Sequence, residues 1–240
     1  TQYHRSLKRD KAADNLSPVE RKKKLEKLEA NVIEWILFFF SEFAKYPFTK
    51  FHKKAIKRIT TNMEWYEVLS WSRELAKSTI VFMCMMYLVL TGKKKNVLLI
   101  SNSHENAVRL LEPYKKAFES NSMLKAYYGD LREFGSWTAD EFTLTTGATF
   151  RAIGALESPR GTRKDAVRPD TALVDDFDTD ADCRNPDILK KKWEWFEEAL
   201  FPTRSISEDL LVIFCGNLIA LDCCVKPVSY THLRAHETKA

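Results

Sequence analysis

Residues 65–90, WYEVLSWSRELAKSTIVFMCMMYLVL, predict how this chain begins its main domain. Trp65–Trp71 is typical of a short strand. Lys77–Leu90, which is uncharged and mostly apolar after its first residue, is typical of a buried helix. A strand, a tight turn and a buried helix form the first half of a crossover unit, the connection that joins parallel strands. The stretch therefore predicts an α/β domain.

The rest of the chain continues this alternation of short apolar runs and amphipathic stretches. The periodicity predicts strands at Asn96–Ile100, Phe142–Thr145, Thr149–Ile153, Thr171–Asp175 and Leu210–Cys215, and helices at Asn102–Phe118 and Pro186–Leu200. Asn102 and Glu105 are predicted to cap the first of these helices, and Pro113 to bend it. Together they predict an α/β fold with a mainly parallel sheet flanked by helices.

A helical segment is predicted before this domain. Ser17, Pro18 and Glu20 are typical of a helix start, since they supply a cap, a proline at the first helical position and a capping-box glutamate. Apolar residues then recur at helical spacing below a lysine-rich face that we interpret as solvated: Leu25, Leu28, Val32, Trp35 and Phe39. We expect an N-terminal helical segment over residues 1–60 and the main domain over 61–226.

Composition limits the class of protein. The 240 residues are 45% hydrophobic, enough for a real core, and the net charge of +5 permits contact with nucleic acid without requiring it. Five cysteines without a C-x-x-C pair indicate a reduced, intracellular protein. No apolar run reaches the ~20 residues of a membrane span, so no membrane partner is expected.

The last residues, 227–240, do not continue the pattern and look like translated read-through of a sequencing adapter. His232 and His236 beside Glu237 have the spacing of a zinc site on a helix, but we expect no such site in a non-native tail.

The turn after the first strand ends like a phosphate-binding loop. Lys77 can bind phosphate oxygens, and Ser78, with Thr79 beside it, can bind Mg²⁺ at a helix start. The usual frame would place glycines at Trp71 and Ala76, and both are absent. Alanine is the least intrusive replacement for the second glycine, provided that the local φ is not strongly positive.

Carboxylates at the end of a later strand favour the nucleotide interpretation. Asp175 and Asp176 follow an apolar run, as a nucleotide hydrolase requires for its Mg²⁺ shell and its attacking water. The interval of 98 positions from Lys77 to Asp175 leaves room for an additional strand, as in RecA-like ATPases. A further strand ends in the polar tip Cys215-Gly216-Asn217, where a side chain can sense the γ-phosphate.

The same acidic stretch admits a calcium loop as an alternative. Its loop positions 1, 3, 5, 7 and 12 are occupied by Asp176, Asp178, Asp180, Asp182 and Asp187. A calcium loop prefers glycine at position 6, glutamate at position 12 and a preceding helix. This chain has Ala181, Asp187 and a strand instead.

These motifs resemble the ATPase domain of the large terminase subunit of tailed phages, over roughly residues 48 to 225. The loop Ser72–Thr79 is similar to the family's deviant phosphate loops, with Arg73 before the lysine and no first glycine. The Arg160-Gly161 stretch before the acidic strand and Cys215-Gly216-Asn217 are similar to two further family motifs.

The resemblance implies roles for individual residues. ATP would contact the loop residues Ser72, Arg73, Ala76, Lys77, Ser78 and Thr79, together with Asn217 and, around adenine, Phe48 and His52. Mg²⁺ would be held by Ser78 and Asp175. Asp176 would stand where the family commonly has a glutamate base, and Arg73 or Arg160 would contact the γ-phosphate. For Phe48 and His52, the start of an amphipathic helix is an equal alternative.

The resemblance also implies a setting: a motor that moves double-stranded DNA through non-specific phosphate contacts, in the host cytoplasm. It further implies a homo-oligomeric ring, a portal and a small terminase subunit. The family's nuclease is not expected in this chain. Two alternatives stay open: another RecA-like ATPase, such as a helicase module, and a degenerate nucleotide-binding module without turnover.

Overall fold

The computed structural model describes residues 16–44, 46–72, 74–159, 168–204, 209–216 and 223–224. Its centre is a seven-stranded sheet with the spatial order β1-β7-β6-β2-β5-β4-β3. The strands are β1 (Trp65–Leu69), β2 (Asn96–Ser101), β3 (Arg132–Trp137), β4 (Glu141–Leu144), β5 (Thr149–Gly154), β6 (Thr171–Asp175) and β7 (Leu211–Cys215). β1, β7, β6, β2 and β5 are parallel to one another, and β4 pairs antiparallel with β5 and β3. The prediction of an α/β fold with a mainly parallel sheet is confirmed.

Helices flank both faces of this sheet. They are α1 (Pro18–Glu29), α2 (Val32–Phe39), α3 (Lys50–Thr61), α4 (Lys77–Leu90), α5 (His104–Ser120), α6 (Ser122–Tyr128) and α7 (Pro186–Glu194), with a π-helical turn at Trp195–Leu200 and 3₁₀ turns at Asp182–Arg184 and Phe201–Thr203. No helix in the described ranges has the length and apolar character needed to cross a membrane.

Alternate residues of β2 separate two cores. Val97 and Leu99 face the larger core, which contains α4, α5 and the N-terminal helices. Leu98 and Ile100 face the smaller core, which α7 and the π-helical turn cover. A strand whose two faces are both buried reads as a continuous apolar run, which is why β2 is easily recognised from sequence.

The apolar face predicted over Leu25–Phe39 is divided between two helices, α1 and α2. The predicted capping box of Ser17 and Glu20 is confirmed. α1 ends at Glu29, and the side chain of Asn31 then accepts hydrogen bonds from the N–H groups of Ile33 and Glu34, which starts α2. Asn31 is extended, and an Asn cap strongly favours the start of a helix. A new helix therefore begins here, although the apolar spacing continues across the break.

The predicted cap of α5 was wrong, because Ser103, not Asn102, caps this helix, and the helix continues through Pro113. A bend at Pro113 stays a prediction. The predicted helix Pro186–Leu200 is confirmed in its bounds, and it consists of an α-helix to Glu194 and a π-helical turn beyond it. β3 and α6 were not predicted at all.

Two polar anchors hold the amino-terminal ends of the strands. The buried ammonium of Lys94 donates to the carbonyl oxygens of Met63 at 2.9 Å, Asp170 at 3.0 Å and Asp209 at 2.8 Å. The carboxylate of Asp170 accepts from the N–H groups of Lys95 and Asn96. Burial raises the pKa of the Asp170 carboxyl, and these N–H donors and Lys94 oppose that rise. The candidate site lies at the other end of these strands, where their carboxyl-terminal ends meet.

Candidate functional site

The site is built where β1, β7 and β6 end side by side. Leu69 pairs with Cys215, and Cys215 pairs with Asp175, so β7 lies between the loop strand and the carboxylate strand. The N–H of Gly216 donates to the Leu69 carbonyl at 3.3 Å, which continues the ladder into the loops. Parallel strands thus bring the segments after residues 69 and 175 to one edge.

A hydrogen bond joins the two predicted motifs. Ser78, in the first turn of α4, donates from Oγ to Oδ2 of Asp175 at 2.7 Å, across 97 positions of sequence. A hydroxyl and a carboxylate at this separation match the two protein ligands that a nucleotide-bound Mg²⁺ uses in phosphate-loop enzymes. The structure therefore places together the two residues predicted to bind the metal.

Lys77 folds back onto its own loop. Its ammonium donates to the carbonyl oxygen of Trp71 and lies 3.5 Å from that of Ser72. An ammonium has only three donors, so these two carbonyls take up part of the capacity that Lys77 could offer to an anion. The lysine is thus held over the loop at the start of α4.

The loop backbone adopts the shape for which glycine is normally used. Glu74 has φ of 69°, and Ala76 has φ of 59° with ψ of 28°, which is left-handed. An alanine at position 76 was expected to replace glycine only if its φ is not strongly positive, and the observed backbone does not meet that condition. The chain retains the left-handed turn and accepts the steric cost of a Cβ atom.

The start of α4 has no capping side chain. Its N-cap residue is Ala76, whose methyl side chain cannot accept a hydrogen bond from the first turn. The first N–H groups of a helix lack intrahelical partners, so an anion at this position would satisfy them and be favoured by the helix dipole.

The two carboxylates differ in environment. Burial raises the pKa of Asp175 to about 6 and the neighbouring Asp176 adds to this, while the Ser78 hydrogen bond and Lys77 oppose it. Asp176 is exposed, with φ of 45°, and its N–H donates to the Cys215 carbonyl at 3.3 Å. The sheltered carboxylate suits a metal shell, and the exposed one can be reached by water.

The sequence-based interpretation missed Asn102 at this edge. Its N–H donates to the Asp176 carbonyl at 3.3 Å, and its side-chain oxygen accepts from Asn106 at 2.7 Å. Asn102 could have been predicted only from the strand order, because the residue after β2 lies beside the residue after β6 when the two parallel strands are neighbours.

The aromatic residues before the loop lie beside it. The rings of His52 and Trp71 are 5.4 Å apart, and those of Phe48 and His52 are 6.4 Å apart. His52 belongs to the first turn of α3, whose cap is Thr49, so the alternative of an amphipathic helix start is confirmed. An adenine contact for this pair stays a prediction.

Several predicted site residues lie outside the described residues. These are Arg73, Arg160 with the stretch that follows it, Asn217, and the possible zinc ligands His232, His236 and Glu237.

The calcium alternative is not supported by the contacts of its acidic residues. Asp182 pairs with the buried ammonium of Lys192 at 2.6 Å, and Asp178 accepts from the N–H of Cys224 at 2.6 Å. Within the ranges that the structure describes, no group of three or more His, Cys, Asp or Glu side chains is arranged to hold a metal. A Mg²⁺ ion at Ser78 and Asp175 would therefore take its remaining ligands from phosphate and water.

Comparison of the chain with protein-family models finds no match, and neither does comparison with curated proteins. The geometry of the site and the residues themselves therefore carry the functional argument.

Proposed function

We propose that this chain is an ATP-hydrolysing motor domain with a RecA-like core, of the type found in the large terminase subunit of tailed phages. The observation that carries the proposal is the 2.7 Å hydrogen bond between Ser78 and Asp175, which joins a loop at a helix start to a carboxylate strand. The strand order supports a RecA-like core, because one strand, β7, separates β1 from β6.

ATP would bind with its phosphates at the start of α4. The uncapped N–H groups of the first turn would face the phosphate oxygens, and Lys77 would leave the Trp71 carbonyl to neutralise the β/γ charge. Ser78 and Asp175 would hold Mg²⁺, which supplies charge neutralisation when it is bound. Each of these groups already lies at the same edge of the sheet.

Asp176 would orient the attacking water. It directly follows the metal-binding Asp175, its side chain is exposed, and its backbone is fixed on both sides by Cys215 and Asn102. An aspartate is one methylene shorter than the glutamate common in the family, and the left-handed backbone at Asp176 changes the direction of its side chain. We propose that this backbone geometry offsets the shorter reach.

DNA would be the track of the motor. The exposed lysines of α3, near the loop, form a face that suits the phosphate backbone: Lys50, Lys53, Lys54 and Lys57. A homo-oligomeric ring, a portal and a small terminase subunit follow from the resemblance, as does a place in the host cytoplasm.

The test is Mg²⁺-dependent ATP hydrolysis by the chain, with and without double-stranded DNA. We expect turnover in the wild type, a loss of about 10²-fold to 10³-fold in Lys77→Ala, and a comparable loss in Asp176→Asn. Lys95→Ala is the matched control, because this exposed lysine lies at the opposite edge of the sheet.

Other outcomes point to the alternatives. Unchanged turnover in Lys77→Ala contradicts the assignment of the loop. Nucleotide binding without turnover, with DNA and partner proteins present, favours a degenerate binding module. Strand displacement on a duplex favours a helicase module over a packaging motor.

A further inference from the structure

His52 uses both nitrogens of its ring. Nδ1 lies 3.4 Å from the backbone nitrogen of Thr49, and Nε2 lies 3.2 Å from the carbonyl oxygen of Leu75. Because the Thr49 N–H can only donate, Nδ1 is the acceptor, and the ring hydrogen is on Nε2, which donates to Leu75. The ring therefore bridges the cap of α3 and the phosphate loop, 23 positions later in the chain.

The same helix turn also holds the other end of the loop. The ring of Trp71 packs against Phe51 at 4.9 Å, nearly edge-on, and against His52 at 5.4 Å. The Trp71 carbonyl oxygen accepts a hydrogen bond from the ammonium of Lys77. The first turn of α3 thus contacts the loop at two places. One is Trp71, where the loop begins, and the other is Leu75, directly before the left-handed Ala76.

We propose that His52 is a positioning residue that fixes the left-handed backbone of loop residues 74–76. The loop lacks both glycines, so it cannot reach this shape without strain at Ala76. A neighbouring contact must then select that shape over relaxed alternatives, and the hydrogen bond to the Leu75 carbonyl acts on the residue directly before the strained one. Its purpose, a preformed site for phosphate oxygens, rests on the function proposed above.

This role differs from an adenine contact. Both ring nitrogens are already engaged within the protein, so His52 keeps no polar edge with which to recognise a base. A base could only stack on the remaining ring surface.

Amide hydrogen exchange of the nucleotide-free chain tests the positioning role directly, and Mg²⁺-ATP affinity, measured on the same variants, tests its purpose. His52→Ala and His52→Asn remove the donor to Leu75, whereas His52→Gln keeps an amide donor at the reach of Nε2. Glutamine also suits the third position of a helix, so it can accept from Thr49. We expect residues 74–78 to exchange roughly fivefold to tenfold faster in the Ala and Asn variants, the effect of losing one hydrogen bond, and to return towards wild-type rates in the Gln variant.

Two controls separate this effect from a general loosening of α3. Thr49→Ala removes the hydroxyl that accepts from the His52 N–H but leaves the Leu75 contact, so faster exchange is expected in the first turn of α3 alone. Thr61→Ala changes an exposed residue at the other end of the same helix and is expected to change neither segment.

The outcomes distinguish the two proposals. Unchanged exchange at residues 74–78 in His52→Ala overturns the positioning role, whatever happens to ATP binding. Faster exchange with ATP affinity reduced about fivefold to tenfold, both restored by His52→Gln, supports it. Faster exchange in a protein whose wild type binds no ATP supports the contact but contradicts the proposed function.

Discussion

The backbone at Ala76 shows how a left-handed turn before a helix can form without a glycine. At φ of 59° the Cβ atom crowds the backbone, at a cost of about 1–2 kcal/mol that glycine would avoid. Strain of this kind persists where surrounding contacts outweigh it, and functional sites are common places for it. Here the contacts are those of α3 with Trp71 and Leu75.

Replacing this residue should change stability in a predictable direction. We expect Ala76→Gly to raise the free energy of unfolding by about 0.5 kcal/mol, because relief of strain exceeds the extra freedom of glycine in the unfolded chain. Ala76→Val should lower it by more than about 1 kcal/mol, since a β-branched residue tolerates this backbone less well. Urea unfolding measures both, and a valine variant as stable as the wild type would contradict a left-handed residue at position 76.

Asp175 gives the nucleotide-free protein a pH-dependent stability. Its carboxyl has a pKa of about 6 in the folded chain, against an ordinary value of 3.8, so the folded state binds this proton more tightly than the unfolded state does. Below about pH 4, where Asp175 is mostly protonated in both states, its ionisation does not lower the free energy of unfolding. The free energy of unfolding falls as the pH rises from about 4 to 6, and this reduction is constant above pH 6.

Asp175→Asn should remove this penalty while keeping an acceptor for Ser78. We expect the variant to be more stable than the wild type at pH 7.5, by at most about 3 kcal/mol, and equal to it near pH 4. The measurement is urea unfolding at both pH values with a metal chelator present, and exposed Asp180→Asn is the control. A difference that is the same at both pH values would argue against a buried, titrating Asp175.

The sequence predicted the chemical types at the site but not its local geometry. Lys77, Ser78 and Asp175 were predicted to share a site because a phosphate loop and a carboxylate strand have recognisable residue types and order, and the structure places Ser78 against Asp175. The left-handed Ala76 and the bond from His52 to Leu75 were not identified. They depend on how α3 packs against the loop, and this packing cannot be predicted from a local sequence pattern.

The buried lysine at the amino-terminal ends of the strands joins several elements of the fold. Lys94 satisfies carbonyls from three separate segments, before β1, β6 and β7, and so ties the amino-terminal ends of these strands together. Replacing it leaves those carbonyls without this donor in a place that water reaches poorly.

We expect Lys94→Met to lower the free energy of unfolding by about 2–4 kcal/mol. The lost hydrogen bonds and the unsatisfied carbonyls outweigh the gain from no longer burying a charge. Lys95→Met, which changes the exposed neighbour, should be nearly neutral. A small effect of Lys94→Met in urea unfolding would show that these carbonyls find other partners.

Elements with a buried face were the ones that the sequence predicted. β2, β6 and α4 read as apolar runs because they are buried, and their predicted bounds agree with the structure to within one residue. β3 was missed because it is an edge strand whose first four residues are exposed, including a fully exposed Phe134, so it has no alternating pattern. α6 was missed because seven residues give too few turns for a periodicity.

Across the whole molecule, the proposed site depends on strand order. Residues 78 and 175 meet at the carboxyl ends of the strands, where β7 lies between β1 and β6. β7 follows Asp175 in sequence, so the spacing from Lys77 to Asp175 did not indicate that this strand separates the two, and which strands are neighbours follows from packing on both faces of the sheet. The N-terminal helices join the same core as α4 and α5, so they support the face from which the loop projects.

Equilibrium titration of the chain with ATP and Mg²⁺, comparing the wild type with Lys77→Ala and the Lys95→Ala control, tests the nucleotide site most directly. We expect saturable binding by the wild type and by Lys95→Ala, and an affinity at least about tenfold weaker in Lys77→Ala, because the phosphates lose their main cationic partner. Equal affinity in all three proteins, or no binding by a folded wild type, would contradict a phosphate site at the start of α4.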